Sequence, residues 1–148
     1  MKIAIKKLNP NAKVPTYAHG TDAGMDLYYS TEGMESIIIA PGARVLIETG
    51  VAFAIPRGYV GLIWDKSGVA VKQGLKVLGG VIDAGYRGEV MVCLLNTSND
   101  IVTIQPEQKL AQMLIQPVAM PHIEIVDGDL PAAEDERGEG GFGSTGLT

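Results

Sequence analysis

The chain has 148 residues, with 12 Lys+Arg against 17 Asp+Glu for a formal net charge of -5 and a hydrophobic share of 46%. That length suits one domain able to bury a core, and the negative balance excludes a global field for holding a nucleic-acid backbone. A small anionic ligand stays open, because a few basic groups and backbone amides in direct contact outweigh a distant surface charge.

Ile3 and Ile5 alternate with Lys2, Lys6 and Lys7, which predicts an edge strand with its charges outward, available for pairing with another chain. The alternation differs from the apolar block of a signal peptide, and no apolar run is long enough to cross a bilayer, so a cytoplasmic protein with no membrane partner is expected. After Asn9-Pro10-Asn11 and an irregular stretch, Ala23-Gly24-Met25-Asp26-Leu27-Tyr28-Tyr29 resumes an extended pattern. Asp26 is an acid inside an apolar strand and needs partners, as a hydrogen-bond hub or as the holder of a hydrated metal ion.

Short β-rich runs follow at 37–39, 45–47, 51–54 and 59–64, with Pro41-Gly42, Thr49-Gly50 and Pro56-Arg57-Gly58 as turns between them. Ser67 to Gln73 reads as one or two helical turns, with Ser67 as N-cap and Gly74 closing it. Asp65-Lys66-Ser67-Gly68 is then either a phosphate site or a capped surface helix with a solvated lysine. In Gly79-Gly80-Val81-Ile82-Asp83-Ala84-Gly85-Tyr86-Arg87-Gly88 a strand ends at Ile82, a turn follows, and a buried strand leaves from Val90 to Leu95. Glycines free to take φ > 0 leave backbone bare toward a ligand, while the plainer alternative is a hairpin with Tyr86 packed on its flank.

Cys93 lies in the run Met91 to Leu95, which predicts a buried thiol. Being alone, it excludes an intrachain disulfide, and with only His19 and His122 beside it a structural zinc site is excluded too. Strands are predicted at 101–104, 110–115 and 123–126, with Gln112 able to reach a ligand oxygen or satisfy a neighbouring carbonyl. His122 has no assigned role. Regularly spaced short strands with one short helix indicate an all-β sandwich, jelly roll or barrel. After Gly128 comes an acidic linker and then Arg137-Gly138-Glu139-Gly140-Gly141-Phe142-Gly143-Ser144-Thr145-Gly146, which cannot fold alone. It does combine a guanidinium fork, a glycine nest, hydroxyl donors and one flat ring, as a flap closing over a nucleotide would. Residues 1–128 are thus expected as the β-domain and 129–148 as a flexible glycine-rich tail.

Five segments in order resemble the motifs of the trimeric, all-β dUTP pyrophosphatases (dUTPases): Ala23 to Leu27, Lys66-Ser67-Gly68, Gly80 to Gly88, Ala111-Gln112, and Arg137 through Gly146. The resemblance implies a jelly-roll-like homotrimer with active sites at subunit interfaces, hydrolysing dUTP to dUMP and pyrophosphate with Mg²⁺. It implies Asp83 as the carboxylate that deprotonates water and Tyr86 as the ring under deoxyribose. The backbone of Leu78, Gly79, Gly80, Val81 and Ile82 would read uracil, with Met91 nearby. Lys66, Ser67, Gly68 and Gln112 would contact phosphates, and Asp26 would hold a metal-bound water. Arg137 would clamp the γ-phosphate, Phe142 would stack on uracil, and Gly143, Ser144 and Thr145 would complete the flap. Two departures stand out: Lys66 replaces the usual arginine and Glu107 the usual glycine. The rival readings are a dCTP deaminase on the same fold, disfavoured by Cys93 at the position of its glutamate, and a non-catalytic nucleotide-binding trimer.

Overall fold

A computed structural model describes residues 1–33 and 35–132. Ten strands and one helix follow in order: β1 (Ala4–Lys7), β2 (Met25–Tyr28), β3 (Ile37–Ile39), β4 (Arg44–Ala54), β5 (Tyr59–Asp65), α1 (Ser67–Gln73), β6 (Leu75–Leu78), β7 (Val81–Ile82), β8 (Glu89–Asn96), β9 (Val102–Ile104) and β10 (Lys109–Pro117). They form two four-stranded sheets, β1-β4-β8-β6 and β2-β10-β5-β7, and a β3-β9 ribbon. All pairings are antiparallel. The expected all-β, jelly-roll-like architecture is therefore found.

Period-two alternation sets which side chains meet. In β8 Val90, Val92 and Leu94 are buried, and they join Ile47, Leu27, Ile63 and Met113 in one core cluster. Fully burying a side chain of this kind contributes about 1.5–3 kcal/mol. Asn96 ends β8 fully buried yet satisfied, its Nδ2 donating to the carbonyls of Ile39 and Asp100. The same alternation turns Cys93 to the other face, so its thiol is half-buried and the prediction of a buried one fails. β1 lies at a sheet edge, paired on one side with β4, as its lysines foretold.

Three other expectations change. Thr49-Gly50 is no turn: β4 runs through it with a shift in register between Glu48 and Ala52, and Gly50 takes φ +69° in that irregularity. Ser67 is not the N-cap: Lys66 caps α1 in an extended conformation without a side-chain bond, its carbonyl accepting from Val69 and Ala70, while Gly74 closes the helix at φ 64° as expected. Residues 123–126 form no strand. Ile123 and Ile125 are 87% and 89% exposed, so the alternation that suggested a strand meets no neighbouring edge among the described residues.

Candidate functional site

The two sheets are stitched together by Leu78-Gly79-Gly80-Val81, which leaves β6 in one sheet and enters β7 in the other. Gly79 and Gly80 take φ +72° and +106°, and a Cβ on Gly80 would lie 2.7 Å from the Ile63 carbonyl oxygen. The Ile63 amide donates to the Gly80 carbonyl at 2.7 Å, so only glycine lets the crossing run this close to β5. Gly85 and Gly88, by contrast, have no positive φ. A hollow of about 300 Å³ opens beside this hairpin, lined by Leu46, Val81, Ile82, Asp83, Tyr86, Glu89 and Met91. It is at the lower end of small-ligand pockets, a size that suits a nucleoside. Tyr86 is 46% exposed and donates from its hydroxyl to the Glu89 carbonyl at 2.9 Å, which fixes the ring across Gly88 as a wall. Asp83 is exposed at the rim. A larger, mainly apolar hollow of about 760 Å³ lies against the same hairpin and also touches Val81 and Asp83, but it contains neither Tyr86 nor Met91.

The second cluster sits at the far end of β5. Asp26, 3% exposed, has Lys66 Nζ 2.6 Å from Oδ1 and Lys109 Nζ 2.6 Å from Oδ2. Lys66 makes a hydrogen bond, whereas Lys109 is an ion-pair partner out of line with Oδ2. Burial by itself would raise the Asp26 pKa. The ammonium groups of Lys109 and Lys66 outweigh it and hold the carboxyl below its ordinary value, while the same pairing pushes Lys109 up. Gln112, opposite both Asp26 and Trp64, donates from Nε2 to the Asp65 carbonyl at 2.9 Å, the neighbouring-carbonyl role. Its Oε1 would be 2.6 Å from a Cβ on Gly24, which is why the strand is entered through glycine. Asp65 turns away and accepts from Val77 N and Lys76, so it anchors β5 to β6 and presents Lys66. Gly68 faces open space, and the amides of Ser67 and Gly68 precede the helix's first internal bonds.

The chain thus brings Asp26, Lys66, Ser67, Gly68 and Gln112 to one end of β5 and Val81, Ile82, Asp83, Tyr86 and Met91 to the other, while Leu78, Gly79 and Gly80 run between them, outside the nucleoside-sized hollow, with Gly80 beside Ile63. The register pairs Ile82 with Gly61, and Lys66 is five residues further along, roughly 17 Å at strand rise. Asp83 lies beyond Ile82 in the opposite direction, so the gap is wider than a triphosphate spans between its α- and γ-phosphorus atoms. Arg137, Phe142, Gly143, Ser144 and Thr145 lie outside the described residues. Among the described residues no three His, Cys, Asp or Glu side chains converge on a metal position. Both oxygens of Asp26 face ammonium groups, so Asp26 does not fit a directly held cation. Sequence reasoning missed Leu46 and Glu89, which line the nucleoside-sized hollow, and Lys109. A surface leucine and strand-end charges carry no signal until the register is known.

An all-β nucleotide enzyme is the class that this fold, with a nucleoside-sized hollow and a separate cationic cluster, defines. The dUTPase family profile matches residues 10–146, and the chain belongs to that family. It is 46% identical over 148 residues to the deoxyuridine 5'-triphosphate nucleotidohydrolase of Nautilia profundicola, covering 99% of each chain. To the enzyme of the same name from Mycolicibacterium gilvum it is 42% identical over 149 residues, covering 97% of this chain and 94% of that one. The Staphylococcus bacteriophage 80alpha dUTPase solved with dUPNHPP superposes with a TM-score of 0.88 at 31% identity, over 99% of both chains. A point mutant of the dUTPase from phage phi11 of S. aureus, described as coordinating a structural Mg(II) ion, gives 0.79 at 29% identity, over 87% of this chain and 99% of that one.

Proposed function

We propose that this chain hydrolyses dUTP, entering as its magnesium complex, to dUMP and pyrophosphate. The reading is supported by the hollow in which the Val81–Ile82 strand, the Tyr86 ring and the Asp83 carboxylate converge. Uracil is read there by main-chain groups, and the ring wall leaves no room for a ribose 2′-hydroxyl. Asp83 at the rim accepts a proton from water and aims it at the α-phosphorus in line with the departing pyrophosphate. Magnesium carried by the phosphates would offset their charge, and Asp26, whose oxygens face Lys66 and Lys109, would meet it only through water.

The distance along β5 supports a site shared between copies, because Asp83 and Lys66 of one chain are too far apart to serve one triphosphate. A homotrimer supplies both from different subunits, and the tail from residue 129, with Arg137 and Phe142, closes over the nucleotide and sheds bulk water. The reaction supplies dUMP for thymidylate synthesis and, by removing dUTP, keeps uracil out of DNA.

The test is a panel of deoxy- and ribonucleoside triphosphates scored for pyrophosphate and for ammonia. Pyrophosphate from dUTP, with little from UTP, dTTP or dCTP, is the expected result. Ammonia from dCTP would make the protein a deaminase, and nucleotide binding without turnover would make it a sensor.

A further inference from the structure

Lys109 lies between Glu107 and Gln112, inside the stretch that the fourth of the five motifs spans, yet the sequence does not say which way it points, and the fold settles that by an irregularity. β10 pairs with β2 through an irregularity: Lys109 opposes Tyr28 and Ala111 opposes Leu27, with Leu110 inserted between. Leu110 and Ala111 are both buried, so alternation breaks once and Lys109 emerges on the same side as Gln112. In unbroken alternation, residues three apart such as these would face opposite sides. The redirected ammonium lands on Asp26, whose other oxygen already has Lys66.

A buried carboxylate needs one counter-charge. Two leave a surplus positive charge, and both lysine side chains reach solvent, at 29% and 43% exposure. One ammonium is a point charge and cannot reproduce the two-pronged hold of a guanidinium on phosphate. Two ammoniums held at the two oxygens of one acid, Lys66 by a hydrogen bond and Lys109 by an ion pair, present two donors side by side.

We infer that Lys109 is a phosphate-positioning residue, forming with Lys66 a two-ammonium fork, anchored on Asp26, that grips the outer phosphates of the nucleotide. The inference rests on the proposed hydrolysis of dUTP and names a residue of that same site.

The experiment compares Lys109→Gln, which keeps a donor for Asp26, Lys109→Met, which keeps the aliphatic stem, and Lys109→Arg in the full chain. Thermal melting is recorded for each, so that loss of fold in one neutral variant leaves the other to be read. The KM for dUTP is expected to rise about tenfold in the neutral variants, the effect of one lost charge-assisted contact. Inhibition by dUMP, which lacks the outer phosphates, stays unchanged, and Lys109→Arg recovers the wild-type KM. An unchanged KM in the folded variants, or equal weakening of dUTP and dUMP, would overturn the fork while the hydrolase reading stands. Absence of pyrophosphate release by the unmutated chain would overturn the parent reading itself.

Discussion

Replacing Glu107 with glycine is expected to stabilise the protein. Glu107 is the one non-glycine residue with positive φ among the described residues, at 63°. It follows Pro106 in a turn closed by the Gln108 amide on the Gln105 carbonyl at 3.1 Å, the position where a type II turn calls for glycine. Holding an L-residue in this left-handed region costs about 1–2 kcal/mol. The turn is kept by its surroundings: Glu107 N donates to the Tyr29 carbonyl at 3.0 Å, and its carboxylate pairs with Lys13 at 2.6 Å. Lys13 also lies 5.5 Å from the Tyr28 ring centroid. The pair is 43% and 48% exposed, which limits it to about 0.2–1 kcal/mol. Glu107→Gln should therefore lose up to about 1 kcal/mol. Glu107→Gly loses the same pair and about 0.4–1 kcal/mol of unfolded-state restraint but recovers the backbone strain, for a net gain of a few tenths of a kcal/mol, roughly 0.8 kcal/mol above the glutamine variant. That is a rise in Tm of about 1 °C over the parent and roughly 2–3 °C over the glutamine variant for a domain of this size, measured at fixed protein concentration because assembly shifts apparent stability. Raising the salt should shrink the Gln deficit and enlarge the Gly advantage. A glycine variant melting below the glutamine variant would refute the assignment of strain to this turn.

Asp83→Asn should lower turnover by about 10²–10⁴-fold while dUTP binding persists, seen by calorimetry beside a pyrophosphate assay; near-normal turnover would remove Asp83 from its role. Truncation before Arg137 should leave the melting transition intact and sharply reduce turnover, and an unimpaired truncated enzyme would make those residues a spacer. The Asp26 carboxyl is held below its ordinary 3.8, so its contribution to stability is present above that pH and lost as pH falls through the folded value. Lys109 is raised above its ordinary 10.5, so its contribution is present below that pH and lost as pH rises through the folded value. Asp26→Asn should flatten both flanks of a plot of urea midpoint against pH.

Most strands were legible because half-buried β-structure writes itself as alternation, and β5, β7, β8 and β10 fall where that pattern and the Gly and Pro punctuation put them. What failed did so for local physical reasons. Thr49-Gly50 has turn chemistry, but a strand can absorb a left-handed glycine by slipping register. Residues 123–126 have strand periodicity, but alternation does not supply an edge to pair with. Cys93 sits in an unbroken apolar run, yet alternate members of that run face outward. At the site, the motifs named Asp26, Lys66 and Gln112 together, and the register does join them. Lys109 was illegible because its direction depends on one inserted residue, visible only as a shift in pairing.

The length of β5 between its two working ends has a genetic consequence. If copies share the site as proposed, a polypeptide crippled at Asp83 and another crippled at Lys66 would each retain the half that the other lacks. Refolded together they should revive each other, in proportion to how often mixed assemblies bring an intact hairpin against an intact lysine. Neither alone should gain anything from higher concentration.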